Sequence, residues 1–446
     1  MEKINIDYLS MSNIVINNPI INDSVETKRE YINRLSHYIR IGNWNRRKYE
    51  AASLVAYKEI ILQNEDDVCK HDIDFYKYFI LLDFISILAF DLKSNEKDKI
   101  KKVRECYYSD FEKIKKNIVE KIFRSLSNPE KNIRELLKTG KLKIETLYLQ
   151  SILENVTFKK KKPLSVMVTA TMSAGKSTFI NALVGKYVCL SQNMACTGKI
   201  HSIMNKAYED GFSSEYDYDL VLTAGREELL NDNESNKSDK IVVSTSFHGE
   251  LSNCRIVIND SPGVNYSGND THKEITDRLI KGKNFNLLLY VMNATQLGTN
   301  DESDHLDFVK RTIGNTPVIF IINKIDSFNI EEENILEIIK HQKEMLIKKG
   351  FLNPIVCPVS ARAGYLAKQF ETRDFTRAEE RELYNCVDKF EQMKLSRYYD
   401  SEFGTIKVDD SDKEEKQLLK TCGLAYVEKI ISEMCIGGSK NGSVIH

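Results

Sequence analysis

Residues 164–185, LSVMVTATMSAGKSTFINALVG, restrict this chain to few folds. Leu164, Val166 and Val168 mark a short buried strand, residues 170–177 are a run of small side chains, and from Thr178 a helix begins with Phe179, Ile180 and Leu183 on one face. Strand, tight turn and helix in that order place unpaired backbone N–H groups and the positive end of a helix dipole at one spot, where they attract phosphate. The turn fits G-x-x-x-x-G-K-[ST], with Ala170 where the first glycine is usual. Gly175 lets the backbone approach a phosphate, Lys176 is placed for the β- and γ-phosphates, and the Ser177 hydroxyl is placed for Mg²⁺. If the first position needs a positive φ, Ala170 is expected to be strained.

The remaining chain is a folded, soluble type by composition. Its 446 residues favour two domains, and 64 Lys and Arg against 65 Asp and Glu leave no strongly basic surface for nucleic acid. Nine cysteines without a C-x-x-C pair suit a reducing compartment. Residues 1–19 lack the basic start and apolar core of a signal peptide. The most hydrophobic helical stretch, near residues 78–90, is short and interrupted by Asp83. A cytoplasmic chain is expected, with peripheral membrane contact left open.

Residues 1–160 are expected to form a helical bundle. Tyr31, Ile32, Leu35, Tyr38 and Ile39 recur at helical spacing before Gly42. Residues 75–92 are apolar nearly all round, as in a buried helix. Ile100, Phe111 and Ile122 repeat every eleven residues, which predicts one long helix of about thirty residues. Four lysines, Lys159 to Lys162, mark a linker before Pro163.

From there, apolar strands alternate with helices, which predicts an α/β fold with a mostly parallel sheet over residues 161–436. Residues 210–239 read as an irregular polar excursion, residues 370–416 as a solvated helical insertion, and 437–446 as a flexible tail. Three further motifs follow at strand ends. Asp260-Ser-Pro-Gly263 offers a carboxylate for water-mediated Mg²⁺ binding and an N–H that senses a γ-phosphate. In Asn323-Lys324-Ile-Asp326 the carboxylate can accept from both N1–H and the 2-amino group of guanine, while Asn323 braces the loop and Lys324 packs over the base. Adenine lacks that donor pair, so the wrong base leaves a carboxylate unpaired. At Val359-Ser360-Ala361, followed by Arg362, a backbone N–H can meet the guanine O6. The candidate nucleotide contacts are thus Met172, Ser173, Ala174, Gly175, Lys176, Ser177 and Thr178, with Asn323, Lys324, Asp326, Ser360, Ala361 and Arg362.

With SAGKSTFINALVG, DSPGVN, NKID and VSA in this order, the chain resembles the dynamin-like GTPases, especially their bacterial branch. The likeness covers about residues 160–436, including the closing helix from Cys422 to Ile431. It implies GTP binding and hydrolysis with Mg²⁺, homodimers paired across their nucleotide sites, and hydrolysis stimulated by that pairing. It also implies that Ser173 positions a K⁺ or Na⁺ ion and that Thr197, in Met-Ala-Cys-Thr-Gly-Lys, binds Mg²⁺ and positions water. Catalytic roles would fall to Ser173, Lys176, Thr197 and Gly263, and metal contacts to Ser177, Thr197 and Asp260. Val264 follows DxxG where other GTPases place glutamine, and Met172 stands where some members carry glutamine. The short stretch after the last helix predicts a GTPase domain without the long stalk and lipid-binding tip of membrane-remodelling members. A second dynamin-like protein or an effector is an expected partner, and nucleic acid is not. Two alternatives stay open: a slow GTP/GDP switch that recruits a protein, and a ribosome-assembly GTPase, which needs a basic appendage not visible here.

Overall fold

A computed structural model describes residues 18–63, 70–88, 96–171, 173–189, 200–207, 209, 211, 213–217, 219–225, 227, 240–261, 270–329, 334–370, 372–406 and 414–437. They fall into two compact units. The first takes its residues from Met1–Lys161, Lys206–Gly225 and Ser244–Ser246, and the second from Lys162–Asn205, Arg226–Val243 and Phe247–His446.

Nine strands are described: β1 (Leu164–Ala170), β2 (Ile200–Asn205), β3 (Ser213–Tyr216), β4 (Leu220–Ala224), β5 (Lys240–Thr245), β6 (Ile256–Asp260), β7 (Leu287–Asn293), β8 (Val318–Asn323) and β9 (Ile355–Val359). In the second unit they lie in the order β5-β2-β6-β1-β7-β8-β9. β6, β1, β7, β8 and β9 are parallel, and β2 runs antiparallel to β6. β7 is buried at every position, as its unbroken run of apolar side chains requires of a strand covered on both faces.

The first unit is built on seven helices: α1 (Val25–Ile41), α2 (Lys48–Leu62), α3 (Lys77–Ile87), α4 (Lys97–Asp110), α5 (Lys116–Arg124), α6 (Pro129–Thr139) and α7 (Thr146–Lys160). Ser24 caps α1, its hydroxyl accepting from the Thr27 N–H. α3 is buried from Tyr78 to Ile87 and forms the centre, with Trp44 and Tyr38 edge-on to Phe84. The single long helix expected over residues 100–122 is instead two. Phe111 leaves the helix with extended backbone and buries its ring, and the Tyr78 hydroxyl accepts the Lys115 N–H ahead of α5. An eleven-residue spacing specifies a common face but not an unbroken backbone. The excursion after residue 210 is not wholly irregular either, because β3 and β4 form an antiparallel hairpin. Leu222 is buried with the helical core of this unit, and Lys48 lies 5.6 Å from the Tyr216 ring centroid.

The second unit adds α8 (Lys176–Val184), α9 (Asp270–Gly282), α10 (Asn300–Ile313), α11 (Ile335–Lys348), α12 (Ala361–Gln369), α13 (Arg377–Met393), α14 (Ser396–Phe403), α15 (Glu414–Thr421) and α16 (Leu424–Gly437). The stretch expected to be a solvated helical insertion is solvated along most of its described length, yet it sends one face into the core, where Leu383, Phe390, Leu395 and Tyr399 are buried. The charge density of residues 370–416 concealed a narrow apolar stripe, since Leu383 and Phe390 stand seven apart and so share one helix face. Among the described residues, no helix is long and apolar enough to cross a membrane.

Candidate functional site

The phosphate loop joins β1 to α8. Ala170 closes β1 as an extended residue paired with Val291, so the strain expected there does not arise. The left-handed positions are Ser173, at φ 61, and Gly175, at φ 80. A Cβ on Gly175 would stand 2.5 Å from Asn323 Nδ2. Gly175→Ala should therefore displace the Asn323 side chain and cost roughly 1–3 kcal/mol through strain and lost contacts. Thermal melting of the variant, with and without GDP, measures both the stability loss and the fall in nucleotide protection.

Lys176 and Asp260 form an ion pair across the loop, with side chains 10% and 9% exposed. β6 carries Asp260 to its C-terminal end, opposite Val168 of β1. The next residue is fixed too, as Ser261 Oγ donates to the Val168 carbonyl at 3.1 Å. Ser177 is half-buried in the first turn of α8. Cys189 is buried beside Asp260 and Lys176, and burial pushes its thiol well above the usual range, so it stays neutral. Asn181 organises the chain leading to it: Oδ1 accepts from the N–H of Val188 and Cys189, and Nδ2 donates to the Cys189 carbonyl.

These donors fit a nucleotide with a small hard cation. The Gly175 position leaves no room for a Cβ, and the charged pair beside it is nearly dry. Among the described residues no three His, Cys, Asp or Glu side chains gather as a metal centre. A Mg²⁺ ion bound through one or two protein oxygens and phosphate needs no such cluster.

The loops after β8 and β9 carry the residues expected at the base. Asn323 Nδ2 donates to the Ala174 carbonyl at 2.9 Å, and Asn323 Oδ1 accepts from the Ala361 N–H at 3.0 Å. One buried amide thus fixes the spacing between the phosphate loop and the β9–α12 turn. Lys324 adopts φ 68 and lies beside Gly175. Asp326 is half-buried, and its Oδ1 accepts from Ser360 Oγ at 2.6 Å. Ser360 also caps α12, accepting from the Ala363 N–H at 3.1 Å. Arg362 pairs in bidentate fashion with Glu382 of α13, at 2.8 and 2.7 Å.

One contributor escaped the sequence reading. Asn293 ends β7 in register with Asn323, and its Nδ2 lies 3.4 Å from the Ser173 carbonyl. Only the strand register signals it. Ala174 and Thr178 lie on the loop and on α8, whereas Met172, Thr197, Gly263 and Val264 lie outside the described residues.

The model of the Dynamin family matches residues 166–325. The bifunctional enzyme NodQ of Rhizobium tropici is 22% identical over 213 residues, which is 47% of this chain and 30% of that enzyme. The chain therefore spans less than a third of that relative's length. Among solved structures, an Aquifex aeolicus Era variant bound to GDP and AlF4⁻ is 19% identical, with a TM-score of 0.28, over 45% of this chain and 52% of Era. Era with MgGDPNP and a 16S ribosomal RNA segment is 20% identical, with the same score and the same coverage. An oligomerised bacterial dynamin pair, described as sensing and tethering membranes, is 16% identical with a TM-score of 0.37, over 91% of this chain and 61% of that chain. The phosphate loop, the Asp260 strand end and the Asn323–Asp326 loop all fall within the matched segment, and residues 166–325 are a dynamin-like GTPase domain.

Proposed function

We propose that this chain binds and hydrolyses GTP, with turnover raised when two GTPase domains pair. The observation that carries the reading is the Asn323 strut. It ties a phosphate loop to a turn that also positions Asp326, so phosphate and base recognition share one rigid frame. Asp326 is the guanine reader and Ser360 aligns its carboxylate. The loop amides and Lys176 stabilise negative charge on the phosphates, which is the main catalytic lever in phosphoryl transfer. A bound Mg²⁺ would neutralise charge on the β- and γ-phosphates, held by Ser177, through water by Asp260, and by Thr197. With nucleotide and cation bound, Lys176 would face phosphate and Asp260 the cation's water in place of their mutual contact. Ser173, whose backbone is strained into the left-handed region, is assigned to a monovalent ion, and the Gly263 N–H to sensing the γ-phosphate.

Movement has a route out of the site. Lys368 of α12 donates to the Leu183 carbonyl at the end of α8 and pairs with Glu428 of α16. Both side chains are buried, so this pair would carry a shift of α8 on phosphate loss to the last helix. We assign that coupling to rearrangement of helices, with a membrane surface or a second dynamin-like protein as the object of the work.

The test is GTP turnover per molecule over a hundredfold range of protein concentration, in potassium and in a large inert cation. Specific activity should climb about tenfold with concentration and fall without potassium, as expected of a site completed in the pair. A flat profile removes pairing for the chain alone and favours the slow switch, whose partner must then be supplied. Absence of turnover and of GTP binding removes the GTPase reading itself.

A further inference from the structure

We propose that α13 latches the base-reading loop, and that Lys389 is the positioning residue which sets how long a guanine nucleotide stays bound. The inference rests on the guanine-nucleotide reading and extends it to a helix beyond the family-matched segment.

α13 is a well-anchored element. Thr376 and Glu379 form a capping box at its start, and Arg373 pairs with Glu379. Leu383 and Phe390 fix its inner face in the core. Next to that face runs a second stripe, Glu382, Cys386 and Lys389, spaced by four and three residues. Its two ends meet the base-reading loops. Glu382 holds Arg362, the residue after Ala361. Lys389 Nζ donates to the Asp326 main-chain carbonyl at 2.6 Å. Between them, the Cys386 thiol is pushed up to about 11 by burial, with the negative charges of Asp326 and Glu382 adding to it.

Asp326 is consequently held twice. Ser360 fixes its carboxylate, and Lys389 fixes the peptide that carries it. The carbonyl that Lys389 meets lies in a one-turn 3₁₀ helix, Ile325–Ser327. Freed of Lys389, that turn loses its only described link to α13's positive charge, and the carboxylate loses its fixed aim at the base edge. Loosening of a recognition loop appears chiefly in the dissociation rate.

The experiment uses the full chain and a fluorescent GDP analogue, with release followed after mixing with excess GDP. Lys389→Met should release the nucleotide about tenfold faster, the scale of one charge-assisted hydrogen bond. Lys389→Arg, which keeps a donor, should stay within about threefold of the wild type. Preference for GTP over ITP should shrink in Lys389→Met, because inosine lacks the 2-amino group that a well-aimed Asp326 reads. The loss should fall on KM rather than kcat, since the phosphate loop is not touched. A general weakening of the fold would leave the GTP-to-ITP ratio where it was. Release from Lys389→Met within twofold of the wild type, with that ratio unchanged, overturns the latch while the guanine reading survives. A wild-type chain that binds no guanine nucleotide overturns both.

Discussion

Asp326→Asn should lower the affinity for GDP and GTP by about a hundred- to a thousandfold while raising that for xanthine nucleotides. The carboxylate is expected to accept from N1–H and from the 2-amino group. An asparagine amide turns one acceptor into a donor, so a guanine donor faces a protein donor in a half-buried site. Loss of two hydrogen bonds to a charged group, with one left opposed, is worth roughly 3–4 kcal/mol. Xanthine carries an oxygen at the 2-position and restores the pairing. Ser360 adds a second effect. Its hydroxyl now donates to Asp326 Oδ1 at 2.6 Å, and it can turn to accept from an amide, so the loop should keep its shape. Titration with GDP, XDP and ADP separates the outcomes. Equal losses for guanine and xanthine nucleotides mean that the loop collapsed. An unchanged GDP affinity means that Asp326 does not read the base.

Motifs made most of the candidate site legible because their chemistry is local. A glycine beside Lys-Ser, or Asn-Lys-x-Asp after an apolar strand, acts through backbone geometry and nearby side chains. The parallel strands were equally legible, since burial on both faces demands unbroken apolar runs such as β7 and β8. What stayed hidden depends on distant parts of the chain. The contact of Asn293 with the phosphate loop follows from β7 lying between β1 and β8, which no local pattern encodes. α13 looked solvated because its two anchoring side chains sit among charges, and only packing shows which face turns inward. The break at Phe111 was missed for the opposite reason. A good helical period continued across a point where the chain leaves the helix, with Phe111 extended and its ring buried.

The one carboxylate that interrupts the apolar stretch of α3 should make the helical unit less stable as pH rises. Asp83 is fully buried. Its Oδ2 accepts from Tyr31, and from Asn18 at 3.3 Å, while its Oδ1 accepts from Tyr148. Two effects oppose each other. Burial disfavours the charge, and the converging donors favour it. Burial wins, and the carboxyl is pushed up to about 8 from an ordinary value of 3.8. Between those values the folded chain holds a proton that the unfolded chain has released. The stabilisation is complete below the unfolded value and is lost as pH rises through the folded one, at no more than about 1.4 kcal/mol per unit. From pH 5 to pH 8 the loss should be about 3.5 kcal/mol. Glu50 and Glu145, whose carboxyls burial also raises, add to any slope of the wild type, so the comparison is with Asp83→Asn. That variant keeps the shape of the group and cannot ionise. It should lack the Asp83 share of the slope, so its stability relative to the wild type should rise by about 4 kcal/mol between pH 5 and pH 8.5. The chain contains one tryptophan, and Trp44 is buried in this unit, so urea unfolding followed by its fluorescence reports on the right part of the molecule. A wild type that instead gains stability from pH 5 to 8, relative to Asp83→Asn, would show that the tyrosine hydroxyls and Asn18 hold a native carboxylate. The interior of the bundle would then carry a fixed negative charge, and Asp83→Asn would be the destabilised form at neutral pH.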